Sequence, residues 1–436
     1  MGLAVHTTRL ATGERLPLLV DTSTGVPLFA PTVFAVTQLR ARHRAAGTIT
    51  QALHSVRVFL MALERLGVDL EARLSAGRLL TLHEIDAVLG ALSHRMVSNA
   101  SLDPSGRASV EHTNGNVVSI GARRGGAASA HRALAHQTIA IRAYYIKQYV
   151  QWLGQMYVLN LPDADPRLDS FVPSFNLAVE ALEGRRPVGT HRSALGQRQG
   201  LEQEALNLLC QAVDLDSPMN PWRSEAVRVR NQLIVLWLLT LGIRRGELLS
   251  VQLVDINAQR SEVLIARRPD DPMDPRKHQP NAKTRDRLLQ VSEALMSLTM
   301  KYIRTIRKSI PGAEKHPYLF VSTRTGAPLE LASVNRVFSE LKSAVSDLPR
   351  SLCAHQLRHT WNDQFSEEMD RRHIGEQLEH RMRATLMGWS SNSTMPAVYT
   401  RRHTQRKAAA ASLDLQRRFN IGVSDEEAKD DRPDRA

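Results

Sequence analysis

The chain has 436 residues, 42% of them hydrophobic, with 57 Lys and Arg against 44 Asp and Glu and a net charge of +13. That length suits roughly two to three domains of about 150 residues each. No apolar run reaches the roughly 18 residues that a membrane helix needs; "LIVLWLLTLGI" stops at Arg244, and the two cysteines, Cys210 and Cys353, exclude a disulfide framework.

Residues 1–40 read as an extended start, because "RLPLLVDTSTGVPLF" alternates apolar residues around a Thr-Gly turn. A helical domain follows over 41–182. In "TITQALHSVRVFLMALERLG", Thr48 is the expected N-cap, Ile49, Leu53, Val56, Leu60 and Leu63 form the apolar face, and Gly67 is the stop. "LTLHEIDAVLGALSHRM" reads as another helix. Residues 103–132, rich in Gly, Ser and Asn, read as a long loop in which Arg123 and Arg124 could meet phosphate. In "HQTIAIRAYYIKQYVQWLGQM", Ile139, Ile146, Val150 and Leu153 make the expected core stripe. Arg142, Tyr145, Lys147, Tyr149 and Trp152 lie off it, as basic and aromatic residues suited to a DNA backbone. Residues 183–200 read as a basic linker carrying Arg185, Arg186 and Arg192.

The second half, 201–419, is predicted to be mostly helical with a small antiparallel sheet. "EAVRVRNQLIVLWLLTLG" is a strongly apolar helix ended by Gly242; "SEVLIARR" and "RLLQVS" are strands joined by the polar "PDDPMDPRKHQPNAKTRD". The tail, 420–436, is acidic and expected to be disordered. Its Ser424 to Ala436 segment holds six acids and three bases, net −3, which leaves +16 on the rest of the chain. A basic body favours a polyanion such as DNA or RNA.

Five places in this half share one chemistry. "LTLGIRRGELLSV" holds Arg244, with Glu247 three residues on; "NAKTRDRLLQV" holds Lys283; "HQLRHTWN" holds His355 and Arg358; "LMGW" holds Trp389; "PAVYTRRH" holds Tyr399. Two guanidinium forks match the non-bridging oxygens of a phosphodiester and stay charged at any working pH. An indole donates an N–H, a phenol can be a nucleophile, and a lysine can protonate a leaving oxygen. With arginines stabilising the charge, no metal is required. His355 and His359 could instead be a zinc pair, but Gln356 stands where a zincin has glutamate, and only His373 and His380 are at hand as further ligands.

These boxes together resemble the tyrosine recombinase (phage integrase) family over roughly 201–419. "YLFVSTRTGAPLELASVNRVFSEL" resembles the segment that precedes the family's His-x-x-Arg box. The resemblance implies a core-binding domain in the N-terminal helices and a mixed α/β catalytic domain after them. It implies that Arg244 and Arg358 bind the scissile phosphate, that His355 assists, and that Trp389 stands where most members have histidine. Lys283 becomes the general acid for the 5′ oxygen, Tyr399 the nucleophile that forms a 3′-phosphotyrosyl link, and Glu247 a support for the first arginine. Lys277 is a rival to Lys283. The spacing from Trp389 to Tyr399 is one residue longer than usual, and Pro396 stands three before the tyrosine.

The expectation is therefore a site-specific recombinase or integrase without cofactor or metal, acting on double-stranded DNA as a homo-tetramer, with accessory recombination proteins as further partners. No membrane is involved, and its place is the cytoplasm, at the nucleoid. The rivals are a type IB topoisomerase, with the same phosphotyrosine chemistry, and an architectural DNA-binding protein without catalysis. The helix "TQRKAAAASLDLQRRF" could pack on its own domain or on a neighbouring protomer.

Overall fold

The computed structural model describes residues 2–92, 136–187, 200–280, 282, 284–390, 393 and 395–418. The chain divides into two compact units: Met1–Gly196 with Pro269–Gln279, and Gln197–Arg268 with Pro280–Ala436. Among the described residues it is mainly helical, and no helix is long and apolar enough to cross a membrane.

The first unit opens with an antiparallel hairpin, β1 (Leu3–Arg9) and β2 (Arg15–Asp21), in a register from Leu3↔Asp21 to Arg9↔Arg15. Residues 1–40 are thus more than an extended start: α1 (Phe29–Phe34) and a π-helical turn, Ala35–Arg40, complete them. Then come α2 (Ala46–Arg65), α3 (Leu70–Ser75), α4 (Leu82–Leu92), α5 (His136–Leu159) and α6 (Arg167–Gly184). The cap of α2 is Ala45, so Thr48 lies inside the first turn. Its stop is the expected one: Gly67 takes φ 68°, which turns the Val68 N–H back to the Leu63 carbonyl at 3.0 Å. Ile49, Leu53, Val56 and Leu63 are buried as read.

On α5 the reading of an exposed aromatic face is corrected. Tyr149 and Trp152 are buried with Ile146 and Val150, and Phe34 meets the Tyr149 ring edge-on at 5.3 Å. The apolar arc is wider than one stripe because α2, α4, α6 and α1 all pack on this helix.

In the second unit, α7 (Gln203–Val213) leads to α8 (Glu225–Thr240), whose Leu233, Ile234, Trp237 and Leu238 are fully buried. Its later half, 233–239, is apolar all round because it sits within the core. After α9 (Arg245–Ser250) the short strand β3 (Ile256–Asn257), β4 (Glu262–Ile265) and β5 (Arg287–Gln290) form an antiparallel sheet in the order β3-β4-β5. The helices α10 (Glu293–Lys301), α11 (Leu331–Ala344), α12 (Ala354–Arg371), α13 (Glu376–Met387) and α14 (Met395–Arg418) follow. Cys210 is exposed and Cys353 half-buried.

Candidate active site

The site is built where α8 ends. Gly242 takes φ 59°, and a side chain there would meet the Trp361 ring at 2.7 Å, so this turn requires glycine. The turn presents the Gly242 carbonyl inward, where Arg358, one turn into α12 and fully buried, donates to it at 2.6 Å. Two residues on, Arg244 caps α9. Glu247, at the third helical position, reaches back and accepts the Arg244 N–H at 2.9 Å and its guanidinium at 3.3 Å.

Glu247 is fully buried and gathers more than Arg244. Thr284 donates its hydroxyl to it at 2.7 Å, and Arg287, at the start of β5, donates at 2.9 Å. Arg287 also donates to Thr284 at 3.0 Å and to the Leu386 carbonyl at 2.6 Å. Burial pushes the Glu247 carboxyl up; the charges of Arg287 and Arg358 and the donated hydrogen bonds outweigh that, so its pKa lies below the ordinary value. One carboxylate thereby fixes the first arginine box, the strand after the lysine segment and the end of α13.

That end is itself clamped. Arg383, fully buried, donates to the Asn362 side chain at 2.7 Å and to the Ser366 hydroxyl at 2.7 Å, joining α13 to α12. Gly388 closes α13 with φ 66°, and its carbonyl accepts the Arg285 N–H at 3.0 Å. Trp389 follows, 7% exposed, with the Arg358 guanidinium carbon 5.6 Å from its ring centroid. A cleft of ≈ 380 Å³ is lined by Arg244, Arg267, Thr284, Arg285, Trp389 and Ser390, among others. Three arginines against one carboxylate, Asp286, leave the cleft lining cationic, which suits an anionic ligand.

His355 is exposed on the first turn of α12, its ring 4.8 Å from that of His359 and nearly perpendicular to it. Among the described residues no three His, Cys, Asp or Glu side chains gather as a metal site. Tyr399 stands in α14, which Met395 and Pro396 begin, so the proline starts the helix; the Tyr399 side chain lies outside what is described. Lys283 lies outside the described residues, and Lys277 is exposed in the first unit.

Of the expected DNA contacts, Arg123, Arg124 and Arg192 lie outside the described residues. Arg142 is half-buried and donates to the Leu92 carbonyl at 3.2 Å, and Lys147 pairs with Glu183 at 2.8 Å. Arg185 pairs with Asp86 at 2.5 Å and Arg186 with Glu183 at 3.1 Å.

The sequence reading did not single out Thr284, Arg287, Arg267 or Arg285. Arg287 left a signal: it shares a strand face with Leu289, and a charge on a core-facing position needs a buried partner.

Residues 201–406 match the family model described as the phage integrase family. The protein y4rF of Sinorhizobium fredii, described as an integrase/recombinase, is 30% identical over 43% of this chain and 37% of its own, so the chain spans little more than a third of that relative. The tyrosine recombinase XerA of Pyrococcus horikoshii is 24% identical over 51% of this chain and 70% of its own. Among solved structures, that of a XerA recombinase shares 19% identity, covers 59% of this chain and 77% of its own, and has a TM-score of 0.35. The likeness to the phage integrase family of tyrosine recombinases thus lies in the second unit.

Proposed function

We propose that the chain is a site-specific DNA recombinase or integrase that cuts and rejoins DNA through a 3′-phosphotyrosyl intermediate. The observation that carries this is the cleft organised by Glu247, where Arg244 is held at the rim and Arg358 and Trp389 lie against each other behind it. Arg244 and Arg358 hold the non-bridging oxygens and stabilise the charge of the pentavalent transition state. The Tyr399 oxygen attacks phosphorus and its proton leaves to a base, with His355 the acceptor. The bond from phosphorus to the 5′ oxygen breaks, and that oxygen takes a proton from Lys283. A 5′ hydroxyl from a second strand reverses the sequence, so the energy of the phosphodiester is conserved and no cofactor or metal takes part. Trp389 supplies bulk and an indole donor behind the phosphate.

The partner is double-stranded DNA, gripped by both units. The enzyme works as a homo-tetramer on paired sites, with accessory recombination proteins, in the cytoplasm at the nucleoid. The exposed residues 407–417 of α14 are the surface available for a neighbouring protomer.

Tyr399→Phe should keep DNA affinity and abolish the covalent adduct on a suicide substrate. An adduct formed by the Phe variant would reject the nucleophile. Strand exchange between two marked sites, as against relaxation of a supercoil alone, separates a recombinase from a type IB topoisomerase.

A further inference from the structure

On the first unit, Arg40, Arg73, Arg167, Arg185 and Arg186 each pair with a carboxylate. Where α2 packs on α5 the pattern breaks. His54 and Arg57 stand three residues apart on α2 and so share one side of it. Arg142 stands on α5, the helix packed against α2. None of the three meets a carboxylate among the described residues.

These groups act on one another. His54 is exposed on the outer side of α2; partial desolvation, then the charges of Arg57 and Arg142, hold its imidazole below the ordinary pKa. Desolvation, then the Arg57 charge, lowers that of Arg142 as well. The strands β1 and β2, helix α4 and the turn 35–40 also pack on α2, and among the described residues none of them brings a further charge to His54. Arg57 and Arg142 are both half-buried. Arg142 donates to the Leu92 carbonyl, at the end of α4, at 3.2 Å. Arg57 makes no hydrogen bond or ion pair among the described residues, and its Nε is buried. A buried donor without an acceptor is costly, and two guanidiniums brought together without a carboxylate repel.

An anion relieves both. Guanidinium forks match the non-bridging oxygens of a phosphate, and a protonated imidazole adds a further donor. The charge of +16 outside the acidic tail favours a long polyanion over a small ion. Resting on the function proposed above, we infer that Arg57, Arg142 and His54 form a site for one backbone phosphate of double-stranded DNA, which His54 completes by taking a proton from solvent as the phosphate arrives. The phosphate charge opposes that of the two guanidiniums, so its arrival reverses the field that keeps the imidazole neutral. The sign follows: the complex is tightest in acid and weakens as pH rises through the value at which bound His54 loses its proton.

The test uses the full chain, labelled with carbon-13 in its histidines, and a short duplex of arbitrary sequence. The His54 ring resonance is identified by its loss in His54→Gln. On adding duplex, the His54 pKa should rise by about one unit, which equals a complex about 10-fold tighter in acid. That pH dependence should be absent from His54→Gln. Arg57→Gln should weaken binding on the order of 10-fold and remove the rise. Adding Arg142→Gln should weaken it little further, because both arginines hold one phosphate. If Arg142→Gln does not fold, Arg57→Gln, which has no hydrogen bond to lose, decides. Duplex bound with the His54 pKa unmoved, or bound equally well by Arg57→Gln, overturns the inference and leaves the proposed function standing. A rise with inorganic phosphate and none with duplex makes this a small-anion site and also overturns it. A chain that binds no duplex rejects the inference and the proposed function together.

Discussion

Glu247 carries more of the site than its supporting place in the first arginine box suggests. It is fully buried and bonded to Arg244, Thr284 and Arg287. Removing one partner of a buried ion pair leaves the other charge uncompensated, so Glu247→Gln should destabilise the second unit by about 3–5 kcal/mol. Chemical denaturation measures it. The pH dependence has a defined sign. The folded pKa is depressed below the ordinary 4.5, so the ionised carboxylate adds stability above that value, and its contribution is lost as pH falls through the folded pKa. In Glu247→Gln the acid limb of the stability profile should be flatter than in the unaltered protein. An unchanged limb would place the acid sensitivity elsewhere.

At the scale of elements, α5 and α14 make opposite cases. Both run for 24 residues. Helix α5 is enclosed by its neighbours, with Tyr149 packed on Phe34, Phe59 and Trp152. Tyr149→Ala should therefore cost about 3–5 kcal/mol, as large aromatic truncations in a core do. Over 407–417, α14 is exposed, with Leu413 at 53% and Leu415 at 52%. Leu413→Ala should shift monomer stability by no more than about 0.5 kcal/mol. The same urea titration compares the two, and the reverse ranking would contradict the packing described for both helices.

At the scale of the whole molecule, charge and chain crossings matter most. The net charge of +16 outside the acidic tail calls for binding that weakens steeply with salt. Among the described residues Arg185 and Arg186 pair with surface acids, an arrangement worth little on its own and readily exchanged for phosphate. If both meet DNA, replacing each by glutamine should reduce the slope of log affinity against log salt by about 0.9. A salt titration that left the slope unaltered would remove them from the interface. The full chain is needed for this, because the segment Pro269–Gln279 between β4 and β5 is housed in the first unit. A fragment starting at Leu201 would lose Arg15, which donates to the Asp271 and Asp274 carbonyls of that segment.

The amino-acid sequence alone carried the likeness to the phage integrase family, because two arginines, a histidine and a tyrosine stand in fixed order inside short boxes. It also determined the helical character, the two strands and the glycine stops at Gly67 and Gly242, since periodicity and φ preference are local. Only the tertiary structure decided that Tyr149 and Trp152 are core, because which face of a helix is buried depends on how many neighbours enclose it. It alone joined Glu247 to Thr284 and Arg287, 37 and 40 residues away, because a buried charge finds its partner in space. It alone placed the middle of the β4–β5 hairpin in the other unit: Arg15 and Asp274 stand 259 residues apart, and a bond between a guanidinium and a backbone carbonyl leaves no pattern along the chain.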